Sequence, residues 1–218
     1  MRQFAIFALA FSVILPVFAE PPKTEEEKTL YALGTWLGSK IEVFSLSEKE
    51  LAFVNEGLRD TTLGKTPVVS LEQYGEKINA LHQERVKKVA ETQKKKGAEY
   101  AAKFKKEKGV KAHPSGLMML TVKEGSGATP KESDRVKVHY HGTFTDGKVF
   151  DSSIGKDPVE FGVTGVIKCW TEALQKMKVG GKAKLFCPSD IAYGDGGRPG
   201  IPGGAALTFE VELLDILK

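Results

Sequence analysis

A stretch of alternating apolar and polar residues in the second half of the chain constrains the fold more than any other feature. Within residues 136–144, Val136, Val138 and Tyr140 fall on one side at every second position, whereas basic side chains occupy the other side. Because successive side chains of a strand point to opposite faces, the pattern predicts a strand with one buried and one solvated face.

The residues that follow predict a hairpin. Asp146 and Gly147 suit a tight turn between two strands. A second strand then brings Phe150 and Asp151 to the same side as Tyr140. The unit ends in two serines.

Further strand patterns come at short intervals along the C-terminal region. The predicted strands cover residues 117–122, 135–144, 149–152, 159–163, 182–187 and 207–217. The single helical pattern among them covers about residues 169–177, with Trp170 on its apolar side. We therefore predict an α+β fold in which a bent antiparallel sheet wraps around one short helix, preceded by an all-α domain and a long connecting helix.

The first nineteen residues have the layout of a secretory signal peptide. Arg2 lies in a short basic start, an apolar run follows, and the small residue Ala19 suits cleavage after it. A membrane anchor is the alternative, but the run is shorter than the ~20 residues that a spanning helix needs, and Pro16 interrupts it. The prediction is an exported protein with no integral membrane span once residues 1–19 are removed.

Residues 20–70 are predicted to form a helical dimerisation domain. Thr24, Ser47 and Ser70 each precede a Glu or Gln by three residues, which is the capping-box pattern of a helix start. The first two of these helices carry Tyr31, Trp36 and Phe53 at positions expected to be exposed. Two short helices cannot bury so much apolar surface alone, so a second copy of the chain is the predicted partner. A self-contained helical cap is the alternative.

Residues 71–108 contain no proline and are predicted to form one long helix of roughly 55 Å. Eleven Lys and Arg against six Glu give it a balance of +5, more than the net charge of +4 of the whole chain. A basic helix can indicate nucleic acid or an anionic membrane, but the interspersed glutamates favour a solvated face and no nucleic-acid partner. Arg85 and Lys88 interrupt the apolar seam, which predicts a solvated strut for the second half, with Tyr100 and Phe104 as its later apolar contacts and a bend near Gly97.

Three runs of residues carry a family resemblance. They are VHYHGTFTDGKVFDSS at 138–153, VIKCWTEALQKMKVGGKAKLFCPSDIAYG at 166–194 and GRPGIPGGAALTFEVELL at 197–214. Residues 113–218 thereby resemble the FKBP-type peptidyl-prolyl cis-trans isomerases. With its leader, helical part and long helix, the whole chain resembles the macrophage infectivity potentiator-like subfamily. That resemblance implies a periplasmic homodimer, in which intertwined N-terminal helices and two long helices hold a pair of isomerase domains apart.

The resemblance also implies a proline pocket with Trp170 as its floor. The implied catalytic residues are Asp151, Tyr193, Tyr140 and Phe150. The other implied substrate-binding residues are Val166, Ile167, Val159, Ile201, Phe209 and Arg198. Val159 stands where the family often has an aromatic wall residue, and Arg198 stands where some members have His.

Polar groups of the implied pocket have distinct roles. The backbone N–H of Ile167 and the hydroxyl of Tyr193 are the implied donors to carbonyls of a bound proline segment. Asp151 is the implied polar group that faces the rotating amide, with a purely structural role as its alternative.

The implied activity is rotation of X-Pro bonds in exported proteins, which assists their folding in the periplasm, with association with the outer membrane left open. Macrolides of the FKBP-binding class are implied inhibitors, and no cofactor or metal is expected. His139 and His141 share a strand face, but two ligands without carboxylate or cysteine neighbours make a poor metal site. The glycine-rich residues 194–198 lack the Gly-Lys-Ser/Thr ending of a phosphate loop. The rival function is a non-catalytic chaperone that holds unfolded clients in the dimer cleft.

The two cysteines of the chain are candidates for a disulfide. Cys169 replaces the glycine that the family commonly has before its tryptophan, and Cys187 ends a strand expected to pass beneath the helix. In an oxidising periplasm the pair would bridge across the pocket floor, with two buried thiols as the alternative.

Overall fold

A computed structural model describes residues 21–217 of the chain. The predicted signal peptide, residues 1–19, lies outside the described residues. Among residues 21–217, no helix is long and apolar enough to cross a membrane. The chain divides into two compact units between Lys40 and Ile41.

The first unit contains nearly all of α1, Glu25–Ile41. Its start is fixed by a capping box, because Thr24 Oγ1 accepts from Glu27 N at 3.1 Å and the Glu27 carboxylate accepts from Thr24 N at 2.9 Å. No residue of α1 is buried. The predicted helix start is therefore confirmed, and the helix leaves its apolar side chains uncovered.

The second unit begins with a 3₁₀ turn, Glu42–Phe44, and continues through α2, Glu48–Thr62, and α3, Leu71–Phe104. Ser47 and Glu50 form both bonds of a capping box at α2, and Ser70 Oγ accepts from Gln73 N at 3.4 Å at α3. Both predicted helix starts are thus confirmed. Like α1, α2 contains no buried residue.

The C-terminal part forms an antiparallel sheet. Its strands are β1 Val110–Ala112, β2 Met118–Lys123, β3 Arg135–Phe144, β4 Val149–Ser152, β5 Val159–Gly162, β6 Lys182–Cys187 and β7 Leu207–Leu217. They lie in the order β1-β2-β6-β7-β3-β4, and β5 also pairs with β3. The six predicted strands are all present, and β1, shortly after α3, is an additional strand that the sequence did not predict.

The core lies between this sheet and the short helix α4, Lys168–Leu174. On β3, Val136 and Val138 are fully buried, as the alternation predicts. On α4, Trp170 and Leu174 are buried against the same core. Because each fully buried aliphatic side chain contributes about 1.5–3 kcal/mol, this packing fixes α4 against the concave side of the sheet.

The second half of α3 differs from the predicted solvated strut. Its buried residues Ala90, Gly97 and Phe104 recur every seven positions, so they form one line along the helix. Tyr100 stacks on Phe186 of β6 with ring centroids 5.9 Å apart. The expected apolar contacts of Tyr100 and Phe104 are confirmed, but the solvated strut is wrong for this half, because the small residues Ala90 and Gly97 allow the helix to pack closely on the sheet domain.

Candidate active site

Trp170 lies at the centre of a cluster of aromatic rings. It occupies the first turn of α4, and only 4% of its surface is exposed. Tyr140, Phe161 and Phe209 meet it edge to face, with ring centroids 5.4, 5.7 and 5.3 Å away. Edge-to-face contacts stabilise aromatic pairs beyond the area that they bury, so the indole is held rigidly.

A second layer of rings packs beside this cluster. Phe150 of β4 meets Phe209 edge to face at 5.6 Å, and Phe144 lies 5.2 Å from Phe150. Gly142 of β3 lies beneath them, and a Cβ atom there would stand 2.7 Å from Phe150 and 3.1 Å from Phe209. A glycine is needed in this strand because the rings pass directly over its backbone.

Tyr140 connects the aromatic cluster to a carboxylate. Its phenol donates a hydrogen bond of 2.6 Å to Oδ2 of the exposed Asp151. Burial raises the pKa of Tyr140, and the hydrogen bond to Asp151 raises it further. Buried Ser153 fixes the strand pair, because its Oγ accepts from Tyr140 N at 2.9 Å and its N–H donates to Tyr140 O at 3.0 Å.

Two N–H groups, the backbone N–H of Ile167 and the indole N–H of Trp170, have no acceptor among residues 21–217. Ile167 is the N-cap of α4, and its carbonyl accepts from the N–H groups of Trp170 and Thr171 at 2.9 and 3.1 Å. Its own N–H donates to no described acceptor. The buried indole N–H of Trp170 has no described partner either. Of these two donors, the N–H of half-buried Ile167 is the one that a bound peptide can reach, because the indole nitrogen is enclosed by the core.

Tyr193 stands on a loop that follows the 3₁₀ turn Ser189–Ile191. The guanidinium of Arg198 lies 4.6 Å from the centre of the Tyr193 ring, a cation–π contact. Arg198 and Ile201 exchange backbone hydrogen bonds of 2.9 and 2.8 Å, which close the tip of the loop. The Tyr193 hydroxyl forms no hydrogen bond with the part of the chain that the structure describes.

The predicted site residues come together from separate parts of the chain. The following belong to or pack against one apolar core: Tyr140, Phe150, Val166, Ile167, Trp170, Tyr193, Ile201 and Phe209. Asp151 joins them through Tyr140, and Arg198 through Tyr193.

Phe161 is a ring of the aromatic cluster that sequence reasoning missed. Val159, two positions before it on β5, is half-buried but does not pack against the core within residues 21–217. Phe161 instead contacts both Tyr140 and Trp170. Residues two apart share a face of a strand, so the alternation on β5 was a signal for this ring.

Cys169 and Cys187 form the predicted disulfide, with Cα atoms 5.7 Å apart. Both residues are fully buried. The bridge ties the residue before Trp170 to the end of β6, from which the chain enters the loop of Tyr193. It therefore joins two elements of the pocket covalently.

The two histidines of β3 have serine partners. Nδ1 of His139 lies 3.1 Å from Oγ of Ser153, and Nδ1 of His141 lies 3.0 Å from Oγ of Ser152. These contacts give both imidazoles a role in connecting β3 to the end of β4.

Two family models match the chain. The model described as FKBP-type peptidyl-prolyl cis-trans isomerase matches residues 126–214, which include the whole aromatic cluster. The model described as the domain amino terminal to FKBP-type peptidyl-prolyl isomerase matches residues 26–119.

Several known proteins are similar to this chain over most of its length. The FKBP-type peptidyl-prolyl cis-trans isomerase FkpA of Escherichia coli is 40% identical, over 89% of this chain and 77% of that protein. The outer membrane protein MIP of Legionella longbeachae is 34% identical, over 98% and 96%. The crystal structure of Escherichia coli FkpA matches with a TM-score of 0.67 and 38% identity, and covers 89% of this chain and 97% of that one. On the aromatic site, the fold and these relatives together, the chain belongs to the family of FKBP-type peptidyl-prolyl cis-trans isomerases.

Proposed function

We propose that this protein catalyses cis-trans rotation of X-Pro bonds in exported proteins and thereby assists their folding in the periplasm. The observation that carries the proposal is the ring of aromatic side chains around Trp170, with Asp151 and unengaged donors at its edge. Isomerase activity follows from family membership. The roles of individual residues and the nature of the clients are our proposals.

The chemistry explains why aromatic residues serve this reaction. Partial double-bond character gives the X-Pro bond a rotation barrier of roughly 18–20 kcal/mol. The twisted amide of the transition state is less conjugated and less polar than the planar amide. A dry pocket that holds the proline ring over Trp170 therefore favours the twisted form, and each ~1.4 kcal/mol of selective binding gives a tenfold rate increase.

The open donors are suited to hold the peptide on either side of the proline. The Ile167 N–H and the Tyr193 hydroxyl would each donate to a substrate carbonyl. Asp151, oriented by the Tyr140 phenol, would face the rotating amide. Phe150, Val166, Ile201 and Phe209 would form the walls, with Val159 and Arg198 at the rim.

The remainder of the chain is proposed to serve export, dimerisation and connection to the isomerase domain. Residues 1–19 would direct export, residues 20–70 would form a homodimer, and residues 71–108 would connect them to the isomerase domain at 113–218. The exposed aromatic residues of α1 and α2 support the dimer. An envelope location is supported by the name of the Legionella relative, an outer membrane protein.

Turnover of a proline peptide by site variants tests the proposal. Asp151→Ala and Tyr193→Phe should each lower kcat/KM, since one removes the polar edge and the other a donor. Tyr74→Phe is the matched control, because it removes a phenol hydroxyl from α3, outside the pocket. Undiminished turnover in both site variants would refute the assignment of residues.

A macrolide of the FKBP-binding class should compete with the peptide, and failure to compete would contradict the proposed pocket.

A binding chaperone without catalysis would give a different result. It would protect an unfolded client from aggregation while proline peptides isomerised at the uncatalysed rate. The intact pocket favours the enzyme.

A further inference from the structure

The second half of α3 contacts the loop that leads from Tyr193 to β7. We call residues 194–204 the pocket loop, because Arg198 and Ile201 belong to it. The loop is closed at its base by a hydrogen bond of 2.8 Å from Gly204 N to Gly194 O. Contacts with α3 occur at both ends of the loop.

An ion pair holds the first end. Nζ of Lys94 on α3 lies 2.6 Å from Oδ1 of Asp195 and 3.8 Å from Oδ1 of Asp190. Asp195 is two residues beyond Tyr193. The ion pair therefore connects α3 to the segment that positions the Tyr193 ring.

Close backbone packing holds the second end. A Cβ atom on Gly204, whose φ is +73°, would lie 2.6 Å from Cα of Ala90. A Cβ atom on Gly97 would lie 2.9 Å from Cβ of Ala206, one residue before β7 begins. Both glycines allow an approach that any side chain would prevent. The contact sets the entry of the chain into the strand of Phe209.

These contacts are not required to build the aromatic core. The core cluster around Trp170 contains no residue of α3, and Phe186, Phe104 and Ala206 form a separate cluster on the other side of the sheet. The helix could be displaced while Trp170 kept its neighbours. Its docking on the loop then has a consequence for the site as well as for the packing of the second cluster.

We propose that the α3 segment from Ala90 to Gly97 is a positioning element for the proline pocket, which holds the pocket loop so that Tyr193, Arg198 and Ile201 face the substrate. The inference rests on the proposed function and adds to it a role for the connecting helix in catalysis. The helix acts through the loop and does not touch the substrate.

Gly97→Ala in the full-length protein is the first test. The new methyl group forces α3 away from Ala206, so KM for a proline peptide should rise and kcat/KM should fall about 5- to 20-fold, equivalent to overpacking of one methyl group. Gly75→Ala is the matched control, because it lies on the same helix with no atom within 4 Å of its Cβ position. Its kinetics should equal those of the wild type.

A second substitution provides the rescue. Ala206→Gly removes the atom that the new methyl group meets, so Gly97→Ala combined with Ala206→Gly should return to within about twofold of Ala206→Gly alone. Circular dichroism at the assay temperature verifies that each variant is folded. A variant that loses stability but keeps its KM would assign Gly97 a structural role only and would overturn the proposal.

Substitutions of Lys94 test the ion pair with Asp195 at the other end of the pocket loop, and they do not alter the packing of α3 on Ala206. Lys94→Met should lower kcat/KM about 2- to 5-fold through KM, the range of an exposed ion pair, and Lys94→Arg should keep the wild-type value. Lys95→Met, at an exposed neighbour with no described ion pair, should have no effect. An inactive wild type would refute the proposed function, whereas an active wild type with every variant unchanged would refute only the role of α3.

Discussion

The Tyr140 phenol and the Asp151 carboxylate are joined by a hydrogen bond of 2.6 Å across the strands β3 and β4. Burial raises the pKa of Tyr140 above its usual value of about 10, so the phenol remains a donor throughout the physiological range. The carboxylate has no freedom to turn away while this bond holds. Tyr140 thus contributes both a ring to the aromatic cluster and an orientation to Asp151.

Tyr140→Phe separates these two contributions. The ring stays and the hydrogen bond is lost, so we expect kcat/KM for a proline peptide to fall about 3- to 10-fold, equivalent to roughly 1 kcal/mol. In an Asp151→Asn background the same change should have a smaller effect, because the carboxylate it orients is gone. Equal effects in both backgrounds, measured by a double-mutant cycle, would show that Tyr140 acts independently of Asp151.

Gly142→Ala should destabilise the domain. The added methyl group would meet the rings of Phe150 and Phe209, and overpacking of this kind costs about 1–3 kcal/mol. Urea unfolding provides the measurement. Gly162→Ala is the control, since the nearest atom to its Cβ position is 4.0 Å away. A Gly142→Ala protein as stable as the wild type would mean that the rings move aside freely.

The sequence was informative where apolar side chains alternate and uninformative where small residues pack. Val136 and Val138 are buried as their spacing predicts, because a large apolar side chain is itself the signal. Ala90 and Gly97 are equally buried on α3, but small residues contribute little to an apolar periodicity. Their partners, Gly204 and Ala206, lie about a hundred residues later in the chain, in the segment before β7, and no local pattern can reveal such a contact.

The candidate site likewise contains residues that could be predicted from the sequence and contacts that could not. The identities of Trp170 and Tyr140 were predictable from the resemblance of their runs to a family. The contact of Arg198 with Tyr193 was not, because it depends on the conformation of a glycine-rich loop. Likewise, the indole N–H of Trp170 is recognisable as an open donor only once its neighbours are known.

Reduction of Cys169–Cys187 should destabilise the protein. The bridge closes a loop with a sequence separation of 18 residues, for which the chain-entropy model gives about 3 kcal/mol. The double variant Cys169→Ala, Cys187→Ala should unfold at lower denaturant concentration than the oxidised wild type and should not respond to reductant. Mass spectrometry of unreduced protein that detected two free thiols would contradict the bridge.

Glu50 of α2 and Arg85 of α3 form an ion pair of 2.6 Å. The hydrogen bond from Arg85, followed by those from Ser47, lowers the pKa of Glu50 from 4.5 to about 2. A carboxylate whose pKa is lower in the folded state stabilises the fold above its ordinary pKa, and this stabilisation disappears as the pH falls from about 4.5 towards 2.

Glu50→Gln should therefore lower the unfolding midpoint at pH 7, and the difference from the wild type should shrink as the pH falls from 4.5 towards 2. Thermal unfolding at several pH values measures the effect. Glu48→Gln, at an exposed position of the same helix, is the control and should show no such convergence. A difference independent of pH would mean that the Glu50 carboxylate charge is not the stabilising group.

The aromatic residues on α1 and α2 predict a dimer that depends on them. Trp36 is 57% exposed and Phe53 is 73% exposed, and neither α1 nor α2 has a buried residue. Trp36→Glu should weaken self-association by at least 30-fold, since a tryptophan at an interface commonly contributes about 2 kcal/mol or more. Sedimentation at micromolar concentration should then show monomer, with turnover of a proline peptide retained because the pocket is unchanged.

Val68→Glu is the control, because Val68 is also apolar and exposed but lies outside the helices. A wild type that sediments as a monomer, or a Trp36→Glu variant that stays dimeric, would contradict a dimer that depends on Trp36.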